Sequence, residues 1–405
     1  MVSQAEIELW VKVHEDKGIS VETVKNRLKN LVIETPSWGY ADCGTRFKVY
    51  KQVGVPRNPY EKLEDAAEVH RLTGICPKVA IHIPWDQVDD YLHLKSYANE
   101  LGLEIGAVNP NLFQDDDFAL GSVCHPREEV RKKAISHILE CVEIMKLVGS
   151  DVLSLWFADG TNYPGQDHIR KRKRYMLEAL SQTYEALPEN ARMLIEYKFF
   201  EPAFYHTDLA DWGMSYHYCL KLGERAQVLV DLGHHPQGTN IPHIVALLLD
   251  EGKLGGFHFN NRKYADDDLM VGTIDPYELF LICNELIDGE NDPATAECAR
   301  NISYMIDQCH SIESKIPAMI KSVVNIQTAF AKALLVQRDA LRKAQEEGDV
   351  IRAESILKDA FETDVRPLLA LVREEMGLPQ DPLAAYLQSE YPKKILERGI
   401  GGQGW

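Results

Sequence analysis

The sequence has no cysteine framework. Its 405 residues include eight cysteines, and no two of them form the C-x-x-C pair that is typical of structural zinc sites and redox motifs. Scattered cysteines in a chain of this length indicate reduced thiols in an intracellular protein. The eight are Cys43, Cys76, Cys124, Cys141, Cys219, Cys283, Cys298 and Cys309.

Long apolar runs and an excess of basic residues are absent too. No segment approaches the roughly 18 uninterrupted apolar residues of a membrane span, and the N-terminal MVSQAEIELWVKVHEDKG has no apolar signal-peptide core. The formal net charge is −18, whereas nucleic-acid-binding proteins normally carry a basic stripe. We therefore expect a cytoplasmic protein that binds neither membranes nor nucleic acid.

A glycine-rich phosphate loop is also missing, because the turn after the first predicted strand reads SWGYADCGTRF, without G-x-G-x-x-G or Walker A spacing. Instead, short apolar runs alternate with helical patterns such as Arg127–Leu147. Eight such units over roughly 300 residues predict a (β/α)8 TIM barrel rather than a doubly wound open sheet. The runs are Val32–Trp38, Val79–Trp85, Leu103–Val108, Val152–Phe157, Met193–Lys198, Val228–Leu232, Gly256–Asn260 and Ile302–Ile306.

Additional helices are predicted before the first strand of the barrel and after its last strand. Polar helical patterns precede the first strand, and nearly continuous helix formers with apolar positions at a 3.6-residue period occupy about 312–375. We therefore predict an N-terminal helical extension at 1–30, a catalytic barrel at 31–310 and a C-terminal helical extension at 311–405. The apolar stripe of the C-terminal helices needs cover, either from the barrel or from another subunit.

Acidic and imidazole side chains fall at the ends of four successive predicted strands. In a barrel these ends converge on one rim, where active sites lie. A lone aspartate of this kind is often a helix cap, and the DDD run alone is typical of a solvated turn. Together, however, so many carboxylates could not all ionise without cations, and the mixed oxygen and nitrogen donors suit Mn²⁺, Co²⁺ or Zn²⁺. The residues are Glu196, Lys198, Asp231, His234, His235, His258, Asp266, Asp267, Asp268 and Asp307.

Motifs along nearly the whole chain resemble the xylose-isomerase-like barrels, and within them the L-rhamnose isomerase family of the broad-specificity Pseudomonas type. They are TPSWGYADCGTRF, HIPWD, LWFADGTNYPGQ, EYKFFEPAFY, LVDLGHH, GGFHFNNRKYADDDL and MIDQCH. Two positions depart from the family pattern: Tyr197 stands where a histidine is expected, and Cys309 stands where a smaller hydroxyl residue is expected.

The resemblance implies two divalent metal ions per chain, usually Mn²⁺, with Co²⁺, Mg²⁺ or Zn²⁺ as alternatives. The structural ion would be held by one set of four residues and the catalytic ion by a second set, with Asp231 shared between them. Asp267 would point elsewhere. The first set is Glu196, Asp231, His258 and Asp307, and the second is His234, Asp266 and Asp268.

The resemblance also implies a sugar site and a homotetramer. Trp38, His82, Trp156 and Lys198 would line the monosaccharide. Phe47 would close an apolar wall that, in the family, comes from a neighbouring subunit. Aromatic rings suit such a site because the C–H faces of sugars stack on them.

The implied activity is aldose–ketose isomerisation, L-rhamnose to L-rhamnulose and D-allose to D-psicose. The resemblance favours a metal-assisted hydride shift over proton abstraction through an enediol. The expected catalytic residues are Lys198, which would polarise O1, together with His234 and Asp307. Two alternatives remain: a single-metal ketose 3-epimerase on the same barrel, and a non-catalytic carbohydrate- or metal-binding protein.

Overall fold

The structure, a computed structural model, describes residues 2–44, 48–201 and 205–400. Eight parallel strands close into a barrel, with each strand hydrogen-bonded to the next along the chain and the last to the first, which confirms the predicted fold. The strands are β1 (Glu34–Pro36), β2 (Lys78–Ile83), β3 (Glu104–Pro110), β4 (Val152–Leu155), β5 (Arg192–Glu196), β6 (Ala226–Asp231), β7 (Leu254–Phe259) and β8 (Ser303–Ile306).

Helices follow the strands and form the outer ring. Several begin at side-chain caps, as where Asn58 accepts the N–H of Glu61 and Asp211 accepts that of Met214. The helices are α1 (Gln4–Asp16), α2 (Val21–Lys29), α3 (Pro59–Thr73), α4 (Tyr91–Glu100), α5 (Glu128–Val148), α6 (Ile169–Ala186), α7 (Trp212–Leu222), α8 (Ile241–Asp250), α9 (Pro276–Asn291), α10 (Ala296–Arg300), α11 (Lys315–Leu334), α12 (Arg338–Glu347), α13 (Val350–Glu362), α14 (Arg366–Glu375), α15 (Pro382–Gln388) and α16 (Tyr391–Leu396).

The side chains that point into the barrel change character along the strands. A lower apolar layer comprises Ala80, Ala107, Val152, Leu194, Leu229 and Met305, which pack together with Trp38 above them. Because the side-chain period of a strand is two, the residue two places further along each strand also points inward, one layer higher. That upper layer consists of His82, Asn109, Ser154, Glu196, Asp231 and Asp307. The alternation thus places a polar layer directly above an apolar layer.

The first strand is shorter than the predicted run Val32–Trp38, because the chain turns into a 3-10 helix at Ser37–Tyr40. This turn puts Trp38 over the mouth of the barrel, and the indole Nε1 donates to Asp307 Oδ1 at 2.7 Å. The contact joins the loop after β1 to the end of β8.

The terminal helices pack on the barrel and on each other. Helix α11 follows β8 and contacts both α9 and α3, so it occupies the eighth position of the ring, although the predicted division at 310 assigns it to the C-terminal extension. Helices α1 and α14 are in contact, and Trp10 Nε1 donates to the carbonyl of Asp364 at 2.7 Å.

The prediction of eight reduced thiols is wrong for one pair. Cys43, in the loop after β1, and Cys309, in the loop after β8, form a disulfide with their Cα atoms 6.0 Å apart. The barrel closes β1 against β8 and so brings together cysteines 266 residues apart in the sequence. The spacing of these two cysteines in the sequence gives no indication that they pair.

Within the described ranges no single helix is long and apolar enough to cross a membrane. Helices α11 and α12 reach that length and apolar composition only when they are taken together, and a bend of 64° separates them.

Candidate metal centre

Four strand ends bring together a buried group of three carboxylates and one imidazole: Glu196, Asp231, His258 and Asp307. One ligand atom from each lies within 4.8 Å of all the others. His258 Nδ1 is 3.1 Å from Glu196 Oε1, 3.8 Å from Asp231 Oδ2 and 3.6 Å from Asp307 Oδ2. These are the four residues predicted for the structural metal.

A second group adjoins the first and shares Asp231 with it. It contains Asp231, His234 and Asp266, again with ligand atoms within 4.8 Å of one another. His234 Nε2 is 3.2 Å from Asp266 Oδ1 and 3.9 Å from Asp231 Oδ1. His234 Nδ1 approaches the carbonyl of Tyr197 at 3.1 Å. A donation from Nδ1 to that carbonyl leaves the Nε2 lone pair for a ligand.

Asp231 is held in place from two sides. Asn260 Nδ2 donates to both carboxylate oxygens, each at 3.0 Å, and the N–H of Gly233 donates to Oδ1 at 2.6 Å. A Cβ at Gly233 would lie 3.1–3.2 Å from Asn260, Asp231 and Asp266, so the bare glycine suits the close approach. Sequence reasoning missed Asn260, although it lies two residues beyond His258 and so continues the inward-facing pattern.

The three consecutive aspartates after β7, Asp266, Asp267 and Asp268, have different partners. Asp267 accepts the backbone N–H groups of Lys263 and Tyr264, both at 2.7 Å, so its carboxylate stabilises its own loop. Asp266 faces the second group. Asp268 lines the central cavity and adopts the left-handed region at φ 46. Among the described residues, Asp268 does not converge with either ligand group.

The protonation of the two groups favours a cation. Burial opposes charge on Glu196 and on His258, but their mutual attraction outweighs it, so the pKa of Glu196 falls and that of His258 rises to about 9. Burial likewise opposes charge on His234, whose pKa Asp231 and Asp266 raise well above the usual range. Without metal, the imidazoles hold protons among the carboxylates, and a bound ion would replace them.

Lys198 stands over the second group. Its Nζ lies 2.5 Å from Asp266 Oδ2 and 2.7 Å from Glu201 Oε2, and 5.0 Å from the centre of the Trp156 ring. Burial would lower the pKa of Lys198, but Asp266 and Glu201 raise it strongly. The amine is therefore a fixed positive charge and a hydrogen-bond donor at neutral pH.

A cavity of about 670 Å³ opens above both groups. One side carries the metal-ligand candidates and Lys198, and the other is aromatic: His82 stacks on Trp85 with ring centres 4.0 Å apart, and Phe113 meets Trp156 edge-on at 4.9 Å. Trp38, His82 and Trp156 line the cavity, as the resemblance implies. Sequence reasoning did not assign Trp85, at the end of the predicted run Val79–Trp85, or Phe113 to the site. Both residues follow the ends of their strands, where strand alternation no longer predicts the direction of a side chain. Phe47 lies outside the described residues.

Asp86 fixes the wall that carries His82. Its carboxylate accepts the backbone N–H of His82 at 2.8 Å and the hydroxyl of Ser37, and it pairs with Lys62 Nζ at 2.6 Å. Lys62 and Asp86 are both buried. The pair fixes the loop that leads into Trp38 against the end of β2.

Comparisons with known proteins identify the family of the chain. A family model described as L-rhamnose isomerase matches residues 86–398. The chain belongs to the L-rhamnose isomerase family. A probable sugar isomerase of Rhizobium meliloti is 43% identical over 384 residues, which cover 94% of this chain and 89% of that protein. An L-rhamnose isomerase of Salmonella agona is 23% identical over 382 residues, 84% of this chain and 86% of that protein.

Solved structures support the barrel. An L-ribulose 3-epimerase aligns with a TM-score of 0.52 at 13% identity, covering 78% of this chain and 98% of that chain. At this identity the likeness concerns the fold alone. Family membership makes this chain an isomerase of the sugar isomerase type, which acts on a monosaccharide, with candidate carboxylate and histidine metal-binding groups at its centre.

Proposed function

We propose that the protein is a two-metal aldose–ketose isomerase that converts L-rhamnose to L-rhamnulose and also accepts D-allose, giving D-psicose. The observation that carries the proposal is the pair of ligand groups joined by Asp231, both facing one cavity with Lys198. The donor set fits two divalent ions of the Mn²⁺ kind, because each group mixes carboxylate oxygen with imidazole nitrogen.

The ions would supply Lewis acidity at the two substrate oxygens while a hydrogen moves between C1 and C2. Lys198 orients the aldehyde oxygen by donating a hydrogen bond from a charge fixed between Asp266 and Glu201. Because that charge is in place before the reaction, little reorganisation is needed in the transition state. His234 would be one of the residues that hold the second ion, together with Asp231 and Asp266.

Asp307 belongs to the first ligand group and lines the cavity in which the sugar would bind. In the metal-free protein burial raises the pKa of Asp307, with His258 acting in the opposite direction, and a bound ion would favour its ionised form. Trp38 fixes Oδ1 of this carboxylate by a 2.7 Å hydrogen bond. The aromatic side of the cavity, with Trp85 and Phe113, excludes water and packs against the C–H face of the sugar.

Three large exposed side chains lie in loops on the face of the barrel that carries the cavity, and they favour cover by a second copy of the chain. Tyr163, Tyr264 and Ile312 lie in loops after β4, β7 and β8 and are 76%, 80% and 86% exposed. Large exposed residues grouped at one rim are typical of interfaces. A homotetramer, as the resemblance implies, would supply that cover, and the mass of the protein in solution tests it.

The test is to incubate the purified protein, loaded with Mn²⁺, with a panel of aldoses that includes L-rhamnose and D-allose, and to assay for ketose. Conversion of at least one deoxyhexose or hexose is expected; conversion of none would overturn the proposal. Asp266→Asn, checked for a retained fold, should lose turnover because it removes a candidate ligand. Counting bound ions separates the alternatives, since two per chain favour the isomerase and one favours a 3-epimerase.

A further inference from the structure

Two consecutive histidines in the loop after β6 both contact Tyr197. His234 Nδ1 lies 3.1 Å from the Tyr197 carbonyl oxygen, and the Tyr197 hydroxyl lies 2.6 Å from His235 Nε2. Tyr197 is 1% exposed and His235 is 7% exposed. One residue at the end of β5 therefore holds the loop of β6 through both its backbone and its side chain.

The position of Tyr197 at the end of β5 explains why it contacts both histidines. Glu196 and Lys198 point into the cavity, so the residue between them points out of the barrel, away from the metal groups. There its ring meets His235 edge-on, with centres 5.3 Å apart and planes at 79°. A tyrosine at this position supplies a hydroxyl that reaches His235 while the backbone of the same residue serves His234.

His235 is buried but lies beside open space. It lines a small cavity of about 180 Å³, together with Phe199, Phe200 and Tyr264. A ring beside open space can move unless a directional contact fixes it. The hydrogen bond between Tyr197 and His235 is a contact of that kind. Because His235 adjoins His234 in the chain, a shift of one backbone unit moves the other.

We propose that Tyr197 and His235 form a positioning pair that sets the orientation of His234, and through it the affinity of the second metal group. The pair touches neither substrate nor reacting atoms, so its role is to hold a ligand. The inference rests on the proposed function, in which that group holds a divalent ion. Partners that orient metal-binding histidines typically change metal affinity by about 10–100-fold when removed.

Tyr197→Phe tests the pair, because it removes the hydroxyl and keeps the ring. Stepwise titration with Co²⁺, followed by visible absorption, should show the second ion bound at least about tenfold more weakly and the first ion unchanged. The matched control is Tyr218→Phe: Tyr218 is buried in α7, and its hydroxyl donates to the Lys173 carbonyl at 3.3 Å. That variant should bind both ions as the wild type does.

His235→Gln should weaken the second ion in the same way. If the two side chains act as one unit, the double variant with Tyr197→Phe should lose little more than either single variant. Wild-type affinity in Tyr197→Phe, or an equal loss in Tyr218→Phe, would overturn the inference. Fully additive losses would overturn the pairing.

A crystal structure of metal-free Tyr197→Phe separates this inference from the proposed function. The His234 ring should turn away from the carbonyl of residue 197, whether or not the wild type binds two ions. An unmoved ring would refute the positioning role. A wild-type protein that binds one ion with a turned ring in the variant would refute the two-metal function and leave the positioning role standing.

Discussion

Within the described residues, two acidic clusters of the barrel differ in the cations that neutralise them. The first is the centre around Asp231. The second contains Asp159 and Asp208 with Cys124, whose ligand atoms also lie within 4.8 Å of one another. By residue type alone, both could hold a metal.

Arg172 distinguishes them. It is 1% exposed and pairs with Asp208 at 2.8 Å and Asp167 at 2.9 Å. Asp159 is satisfied separately, by Ser122 and by the backbone N–H of Cys124 at 2.7 Å. The guanidinium therefore neutralises the second cluster with fixed geometry. In the Asp231 centre Lys198 pairs with Asp266, but the other cationic partners, His234 and His258, are imidazoles. Imidazoles can release their protons to a metal ion.

The largest expected effect comes from the shared ligand. Asp231→Asn removes a carboxylate from both groups, so the ion count should fall below two, and kcat/KM should fall by roughly 1000-fold, since about 4 kcal/mol of Lewis-acid stabilisation corresponds to that factor. Ion counting after dialysis and steady-state kinetics measure the two effects. Asp208→Asn is the control and should leave the ion count unchanged; a normal count in Asp231→Asn would contradict the assignment.

Arg172→Met tests the other cluster. It leaves the carboxylates of Asp167 and Asp208 without their buried cation, so the free energy of unfolding should fall by about 3–5 kcal/mol. Denaturant unfolding of the metal-free protein measures this. The ion count at the Asp231 centre should stay at two. A protein as stable as the wild type would show that Arg172 does not neutralise this cluster.

The sequence predicted the Asp231 centre better than the Arg172 cluster, for a physical reason. Alternation in a strand fixes which residues face inward, so Glu196, Asp231 and Asp307 could be placed on one rim before any contact was known. Arg172 lies on a helix and pairs with Asp208, 36 residues further along the chain. That contact depends on how a loop and a helix pack, which residue periodicity does not encode.

Metal binding at the Asp231 centre should depend on pH. Because the pKa of His258 is raised to about 9, binding of an ion below that pH displaces a proton, and affinity should fall by up to about tenfold per unit as pH is lowered. Calorimetry in buffers of different ionisation enthalpy, between about pH 6 and pH 8, measures the released protons.

The metal-free protein should respond to pH in the opposite direction. A histidine whose folded pKa is raised stabilises the fold fully below its unfolded pKa of about 6.5. For His258 that stabilisation is lost as pH rises through about 9. The free energy of unfolding of the metal-free protein should therefore fall as pH rises across this window, in which ion binding becomes tighter. Metal affinity that did not change with pH would contradict protonated imidazoles in the metal-free protein.

The smallest effect is expected among the three consecutive aspartates after β7. Asp267 accepts N–H groups of Lys263, Tyr264 and Ala265, and Asp267→Asn keeps one of its acceptor oxygens, so the loss of stability should be about 1 kcal/mol or less. Ion count and turnover should match the wild type, whereas Asp266→Asn should lose both. Thermal unfolding and ion counting on the two variants compare neighbours of the same residue type. Loss of an ion from Asp267→Asn would mean that the Asp267 carboxylate leaves its loop to bind metal. In that case the backbone contacts of an aspartate would not show whether it is a metal ligand.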